Sequence, residues 1–483
     1  MIYSRRKGQH RWTGLKIAAL AISLLALVSC TVGPDYIRPG AEVTAGYKEL
    51  DGWKVARPND DTLRGPWWEM FNEPDLNALE SQVDVSNQTI AQAEAAYREA
   101  VALVQEARSA YFPTVTVGFA IPNSSSSTTV RNGSNVRTNN THYTLPVDVS
   151  WQIDVFGRIR RQVESASTSA QASAADLATV KLTIQTELAQ DYFQLRALDA
   201  QKKLLEENVV DFQKSLELTQ NQYAAGIVSR ADVLQAQTQL QSTQAQAIDV
   251  EVQRAQLEHA IAVLIGQPPA EITVAERALS GQPPAIPVGL PSELLERRPD
   301  IASTERLVAA ANAQIGVAEA AYYPTVTLSS AGGFDSTSFS KLFSAPSRFW
   351  AVGPTVTETV FDGGLRAGQT AQARALYDAN LAAYRQTVLT GFQQVEDNIA
   401  ALRILENEAQ VQDEAVKAAQ QTVAVFTNQY KAGIVNYLAV IVAQTAALTN
   451  ERAAITIRGN RFNAAVLLIK ALGGGWKISD LPP

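Results

Sequence analysis

The only thiol in the 483-residue chain is Cys30, which ends the run Leu27-Val28-Ser29-Cys30. A cysteine placed there, behind a short apolar run, is the pattern of lipoprotein processing. The thiol takes a diacylglycerol and the freed amine takes an N-acyl chain. Ahead of it lie Arg5, Arg6, Lys7, Arg11 and Lys16 with no acid, then the 12-residue apolar stretch Ile17–Val28. That stretch is too short to span a bilayer and follows the plan of a secretory signal. Residues 1–29 are therefore expected to be a lipoprotein signal peptide. Three acyl chains would hold firmly, since each buried methylene contributes about 0.8 kcal/mol. Thr31 in place of an aspartate after the cysteine favours the outer membrane, by analogy with lipoprotein sorting.

Little else in the chain can do chemistry. Beyond residue 29 the histidines are His142 and His259, far apart and without ligand-like neighbours, so metal or triad catalysis has nothing to build on. No Gly-x-x-x-x-Gly-Lys loop cradles a phosphate. The Gly-Gly pairs at 332–333, 363–364 and 473–474 are more economically bends and ends. Enzymatic readings fare badly, and no cofactor is expected beyond the acyl chains at Cys30. Without residues 1–29 the chain carries 36 Lys+Arg against 48 Asp+Glu, a formal charge of −12, which argues against nucleic acid. With Cys30 acylated no disulfide can form, and stability must come from packing and assembly.

The elements that position these residues follow from period and breakers. Residues 30–75 look like an extended arm, broken by Pro34, Pro39, Pro58 and Pro66, with Trp53, Trp67 and Trp68 available to pin it to a surface. Helical periodicity begins near Leu76 and runs to Tyr111; Pro113 stops it. The period then drops to two. Val115, Val117, Phe119 and Ile121 share one face, and Tyr143 to Val155 alternates apolar with polar residues for longer. Between them lies a Ser/Thr/Asn-rich loop, Asn123 to Thr141. Such alternation fits a half-buried strand pair and also a transmembrane barrel hairpin. From Arg158 to Ala225 there are 68 residues without Gly or Pro, about 100 Å of helix at 1.5 Å per residue. Leu205, Val209, Phe212, Leu216, Thr219 and Tyr223 step as a coiled-coil seam. The returning register is Val233, Ala236, Leu240, Thr243, Ala247, Val250, Arg254, Leu257, Ile261 and Leu264. Gln267 to Ser292, rich in proline, reads as a linker.

The programme then repeats. Asn221-Gln-Tyr-Ala-Ala-Gly-Ile-Val228 returns 207 positions later as Asn428-Gln-Tyr-Lys-Ala-Gly-Ile-Val435, with seven of eight residues identical. Tyr111-Phe-Pro-Thr-Val-Thr-Val117 returns as Tyr322-Tyr-Pro-Thr-Val-Thr-Leu328. A second alternating pair spans 324–334 and 350–361, with Glu358 out of pattern, and the seam recurs at Val416, Ala419, Val423, Phe426 and Tyr430. The boundaries are a first repeat over 76–266 (strand hairpin about 113–156, helical hairpin 158–265), the linker 267–292, and a second repeat over 293–473. The second repeat has its strand hairpin at about 324–361 and its helical hairpin at 365–472; the tail is 474–483. Four strands cannot close a barrel, and open edges are forbidden in lipid. If the strands are in a membrane, several copies must supply them, and three would give twelve.

Several phrases together resemble the TolC/OprM family of outer-membrane factors, in its lipoprotein branch. They are Cys30-Thr-Val-Gly-Pro-Asp-Tyr36, Trp67-Trp68 before Pro74-Asp75-Leu76, Phe156-Gly157-Arg158, Leu294-Leu-Glu-Arg-Arg-Pro-Asp-Ile301 and both tip phrases. The resemblance implies a mainly α fold with a membrane β-barrel. It would be a homotrimer with a twelve-stranded barrel, a twelve-helix coiled-coil tunnel and an equatorial belt, set in outer-membrane lipid and reaching into the periplasm. It implies a passive exit duct for drugs or other small toxic solutes. The partners implied are a periplasmic adaptor and an inner-membrane resistance-nodulation-division pump. By the same analogy Gly226, Ile227, Val228, Gly433, Ile434 and Val435 are adaptor-docking tips, although glycine there is first a turn device. Leu438 and Val442, i and i+4 on one helix face, would form two apolar gate rings. Val442 departs from relatives that carry an aspartate at that level, and ordinary seam packing is the competing reading. A duct for metal ions or secreted protein, and a lipid-anchored coiled-coil scaffold without a pore, are the other functional readings.

Overall fold

Residues 31–40, 43–44, 46–50, 65–125, 139–288 and 293–482 are described in a computed structural model. Cys30, the signal segment, Trp53 and Pro58 lie outside them. In chain order the elements are α1 (Pro74–Ser86), α2 (Gln88–Ser109), β1 (Thr114–Val117), β2 (Asn123–Ser125), β3 (Asn139–Thr141) and β4 (Tyr143–Ile153). The long hairpin α3 (Arg158–Ala224) and α4 (Arg230–Leu264) follows, then the short α5 (Leu294–Arg297), α6 (Pro299–Ala320), β5 (Thr325–Ser336) and β6 (Arg348–Thr357). A second long hairpin, α7 (Leu365–Lys431) and α8 (Tyr437–Ala471), comes next, and a short 3-10 turn at Ile478–Asp480 follows it. The chain divides into two compact units. One contains the segment up to Pro39 with Arg98–Ala172 and Thr304–Tyr384; the other contains Gly40–Tyr97, Ser173–Ser303 and Arg385–Pro483.

The first unit holds an antiparallel sheet in the order β1-β4-β5-β6. Its register sorts the side chains by face, because directly opposed residues point the same way. Val115 pairs Val149, which pairs Ser330 and through it Val352; Ile153 pairs Val326, which pairs Val356. On the other face Thr116, Asp148 and Ala331 line up, as do Gln152, Thr327 and Thr355. The apolar face is bare: Val117 is 70% exposed and Trp350 81%. Glu358, out of pattern in the sequence, lies just past the end of β6 and so outside the ladder. The polar loop after β1 is not wholly irregular, since β2 and β3 pair across its base from Asn123↔Thr141 to Ser125↔Asn139.

Both changes from strand to helix use an aspartate and an arginine. Asp154 accepts from the backbone N–H of Ile159 and Arg160 (3.0 Å each) and from Arg160 Nε. Asp362 accepts from Gly364 N–H (3.0 Å), Arg366 N–H and Arg366 Nε. A carboxylate at a helix start satisfies otherwise orphaned donors and complements the helix dipole.

In the second unit an aromatic core brings together Trp67, Phe71, Phe193 and Phe462, with ring centroids 4.8 Å apart for Phe71–Phe193 and 4.7 Å for Phe193–Phe462. Trp67 and Trp68 are buried there, so the arm is pinned where they stand. The helix read as continuous from Leu76 to Tyr111 is broken. Asn87 ends α1, donates to Leu264 O at 2.7 Å, and accepts from Ile90 N–H at 3.0 Å to start α2, which stops at Ser109. The returning seam of α4 is inward throughout, with Ala236, Leu240, Val250, Ile261 and Leu264 buried. Tyr223 departs from the predicted α3 seam and is 48% exposed, whereas Tyr430, at the same cap position of the second copy, is buried.

The proline-rich segment is a strap, held by a buried ion network. Arg196 pairs with Asp199 and Asp75 at 3.1 Å each, and Arg254 reaches Asp199 at 2.7 Å and Glu258 at 2.6 Å. These arginines also donate to the carbonyls of Ala275 and Val274, while Arg277 N–H donates to Asp199 at 3.0 Å. The same three positions recur 207 residues later as Arg403, Glu406 and Arg461. There Arg461 lies 3.8 Å from Glu406, and Arg403 pairs with Glu49 of the arm.

Glu80 on α1 is fully buried with neither carboxylate oxygen hydrogen-bonded. Burial, with Asp84 beside it, pushes its carboxyl well above the usual range. Its folded pKa thus exceeds its unfolded value of about 4.5, so its contribution is fully present below that pH and is lost as pH rises through the folded value. Glu80→Gln is therefore expected to leave the thermal midpoint near pH 4 little changed and to raise it above wild type at pH 8. Circular-dichroism melts at the two pH values check this.

Candidate functional site: the hairpin tips

The repeated octapeptide makes the same backbone motif twice. In the first copy Gly226 has φ +71° and donates to Tyr223 O, and Ile227 donates to Gln222 O, both at 2.9 Å. In the second copy Gly433 has φ +73° and donates to Tyr430 O, and Ile434 donates to Gln429 O, again at 2.9 Å. This paired set of bonds is a Schellman helix end, and its left-handed residue is glycine because a residue with a side chain is strained at positive φ. The chain then restarts at once. Ser229 and Asp232 form a capping box for α4, and Asn436 Oδ1 accepts from Ala439 N–H at 3.3 Å to start α8. Five residues, 225–229 in the first copy and 432–436 in the second, separate the helices at each tip.

The isoleucine after each glycine has nothing to pack on within its own tip: Ile227 is 71% and Ile434 72% exposed. Val228 and Val435 are half-buried behind them. A cleft of ≈ 580 Å³ lies between the two tips, lined by Gln222, Ile227, Asp232, Tyr430, Ile434 and Tyr437. Tyr430 donates its hydroxyl to Gln222 Oε1, and its ring lies 5.3 Å from that of Tyr437. Both tyrosines belong to a buried cluster with Phe212, Leu216, Leu240 and Val440, which joins the two hairpins near their tips. Burial pushes the Tyr437 phenol up to about 12 and the Tyr430 phenol in the same direction, so both stay neutral donors at physiological pH.

Leu438 and Val442 lie on α8 just beyond the second tip, 48% and 61% exposed, while Val440 and Ala443 between and beside them are buried. The pair therefore faces away from the protomer's own core, and the stripe continues along the helix as exposed Thr445 and Thr449. Cys30, the sequence-derived lipidation site, is outside the described residues. Sequence reasoning missed the ion network of Arg196, Asp199 and Arg254 and placed Arg254 in an apolar seam. The signal was available, since all three positions repeat as like-charged residues at the 207-residue offset of the tips. Among the described residues no cluster of metal-ligating side chains occurs and no helix is long and apolar enough to cross a membrane, which leaves the sheet with its bare apolar face.

Membrane-type strands joined to paired long helical hairpins, each made twice in one chain, define a channel-forming subunit of the outer-membrane type. Known proteins agree. The family model described as outer membrane efflux protein matches residues 79–267 and 290–474, and the chain belongs to that family. It is 30% identical over 470 residues to the probable efflux pump outer membrane protein TtgC of Pseudomonas putida, covering 95% of this chain and 96% of that one. The antibiotic efflux pump outer membrane protein ArpC of Pseudomonas putida is likewise 30% identical, with 95% and 96% covered. The solved outer-membrane channel OprN superposes with a TM-score of 0.86 at 31% identity, covering 92% of this chain and all of that one. The fold is thus the TolC-type channel fold expected from the sequence. The protein is an outer-membrane channel component of an efflux pump, extending into the periplasm. It is a passive duct and not an enzyme, and the reading as a scaffold without a pore falls with that membership.

The tip glycines make a direct test. A Cβ added at Gly226 or Gly433 would have no atom within 4 Å, so a methyl group meets open space and only backbone strain is added. Gly433→Ala is expected to cost the tip roughly 1–2 kcal/mol, seen as about 5- to 30-fold faster hydrogen exchange at Ile434 N–H with little change in global melting.

Proposed function

We propose that three copies of this chain assemble into a closed duct through which an inner-membrane pump, linked by a periplasmic adaptor, expels small organic solutes. The observation that carries the assembly is the sheet of the first unit. Its outer strands β1 and β6 each pair on one side only among the described residues, and its apolar face is bare. Unpaired backbone edges are excluded from hydrocarbon, so the edges must meet those of other copies. Four strands from each of three copies give the twelve that a barrel of this kind calls for. The apolar face then turns to lipid, and the face carrying Asp148, Gln152, Thr327 and Thr355 lines water.

The adaptor would dock at the tips. Exposed isoleucine beside an obligatory turn serves no purpose in the turn, and two such tips flank one cleft in every copy. Apolar, rigid and repeated six times in a trimer, these surfaces suit an interface. The name of one relative, an antibiotic efflux pump component, supports organic cargo over metal ions or protein. Acylation of Cys30 would anchor the assembly in addition to the barrel. Replacing both Ile227 and Ile434 with Asp is expected to leave heat-resistant oligomers intact while abolishing complementation of drug efflux in a deletion strain. Normal efflux by that variant would remove the tips from the docking surface.

The gate follows from the stripe on α8. Leu438 and Val442 face outward from the protomer, so threefold symmetry stacks them as two apolar rings, and a narrow apolar ring closes to ions by dewetting. An exposed apolar pair that gives way to Thr445 and Thr449 is better explained by such a constriction than by seam packing, because the seam residues of α8 are the buried ones. Leu438→Ser and Val442→Ser are expected to raise single-channel conductance severalfold in planar bilayers. Unchanged conductance would return both residues to ordinary surface positions.

A further inference from the structure

The segment just after Cys30 is held far more tightly than an anchor linker requires. Within the first unit, Val32 N–H donates to Phe156 O at 3.1 Å, and Arg161 donates to the carbonyls of Val32 (3.3 Å) and Gly33 (3.2 Å). The same guanidinium pairs with Asp35 at 2.7 Å and Glu164 at 2.8 Å, and its side chain is only 4% exposed. Asn312 on α6 donates to Pro34 O at 2.9 Å, and Tyr36 donates its hydroxyl to Glu305, a carboxylate 1% exposed and 3.1 Å from Arg306. Burial and the Glu305 carboxylate push the Tyr36 phenol far up, so it remains a donor at any pH the protein meets.

Glycines let the backbones close on one another. A Cβ on Gly33, itself at φ +92°, would come within 2.4 Å of Gly316 Cα. One on Gly316 would come within 2.9 Å of the Arg161 side chain, which lies across it. One on Gly157 would come within 2.7 Å of Thr31. Six consecutive residues thus touch three separate elements, the Phe156–Gly157 turn, α3 and α6, with every carbonyl from Val32 to Pro34 accounted for.

We propose that Thr31–Tyr36 is a seated tether, with Arg161 as its clamp, which ties the lipid-modified N-terminus to the strand-to-helix turn after β4. Thr31 packs on Gly157, four residues past the last residue of β4, so the residue bearing the acyl chains is one peptide, about 3.8 Å between Cα atoms, from that contact. Lipid and sheet are then delivered to one membrane surface in fixed register, and anchoring assists insertion of the strands. A floppy linker would give the anchor no such leverage, since it would leave the sheet free to sample orientations away from the bilayer. The coupling rests on acylation of Cys30, whereas the seating of the tether does not.

The test uses the full-length protein in cells labelled with palmitate. In wild type and in Arg161→Ala, Gly33→Ala and Cys30→Ser, two quantities are read: hydrogen-exchange protection of Val32 N–H, and the fraction of chain recovered as heat-resistant oligomer in outer membranes. Arg161→Ala and Gly33→Ala are expected to lower Val32 protection roughly tenfold or more, the scale of losing a charge-assisted hydrogen-bond set. They should keep the palmitate label and cut oligomer yield severalfold. Combined with Cys30→Ser, the same changes should cause no further loss, because there is then no anchor to tie. Unaltered Val32 protection overturns the tether, and additive losses with Cys30→Ser overturn its coupling to the anchor. Should Arg161→Ala fail to fold, Gly33→Ala and Asp35→Asn, which removes one ion pair at an exposed carboxylate, carry the same readouts. A wild type without label would refute acylation itself while leaving the seating measurable.

Discussion

A strand whose two faces differ must have different media on its two sides, and the sheet of this protein depends on that constraint. The pairing from β1 through β6 collects Val115, Val149, Val352, Ile153, Val326 and Val356 on one face and threonine, serine, glutamine and aspartate on the other. In a soluble sandwich the apolar face would be covered by a second layer. Here nothing among the described residues covers it, and Trp350 and Val352 stand exposed. Hydrocarbon is the medium that fits, and it also forbids the free backbone edges that the sheet still has.

The helices answer a different demand. Their seams use Ala236, Thr243, Ala247 and Thr219 beside Leu240, Phe212 and Leu216, so neighbouring helices approach closely without a thick apolar core. Gly459 extends this, since a Cβ there would lie only 3.1 Å from Ala197 on α3. Helices packed through such narrow seams leave much of their remaining surface uncovered in a single copy, and Leu438 and Val442 are part of that surface.

The buried ion pairs of Arg196, Asp199 and Arg254 in the second unit lie where the chain is irregular. The proline-rich strap has no ladder of its own, so its carbonyls and amides must find partners on the helices. Arg196, Asp199 and Arg254 supply them from inside the helical surface, where low exposure strengthens each ion pair and makes each costly to break. The second repeat keeps the same charged positions but sets Arg403 against Glu49 of the arm. One pattern of charge thus fastens two unrelated pieces of chain.

Much of this was legible in the residues. Period two marked the strands, breaker-free runs marked the helices, and the glycine in each tip phrase marked a helix end, because each is a local steric or periodic rule. The seam of α4 could be named residue by residue for the same reason. Other features depend on groups far apart in sequence. The break at Asn87 exists because Leu264 O, 177 residues away, accepts its side chain. The strap looked like a free linker because its partners belong to helices the local sequence does not mention. Thr31–Tyr36 was visible as a motif, yet its seat on Arg161, Asn312 and Gly316 was not. By itself the sequence determined which backbone conformations were allowed and which faces were apolar, since sterics and hydropathy act over a few residues. Only the tertiary structure decided which carbonyl each buried arginine would meet and which glycine would lie against which, because those contacts arise where distant segments are packed together.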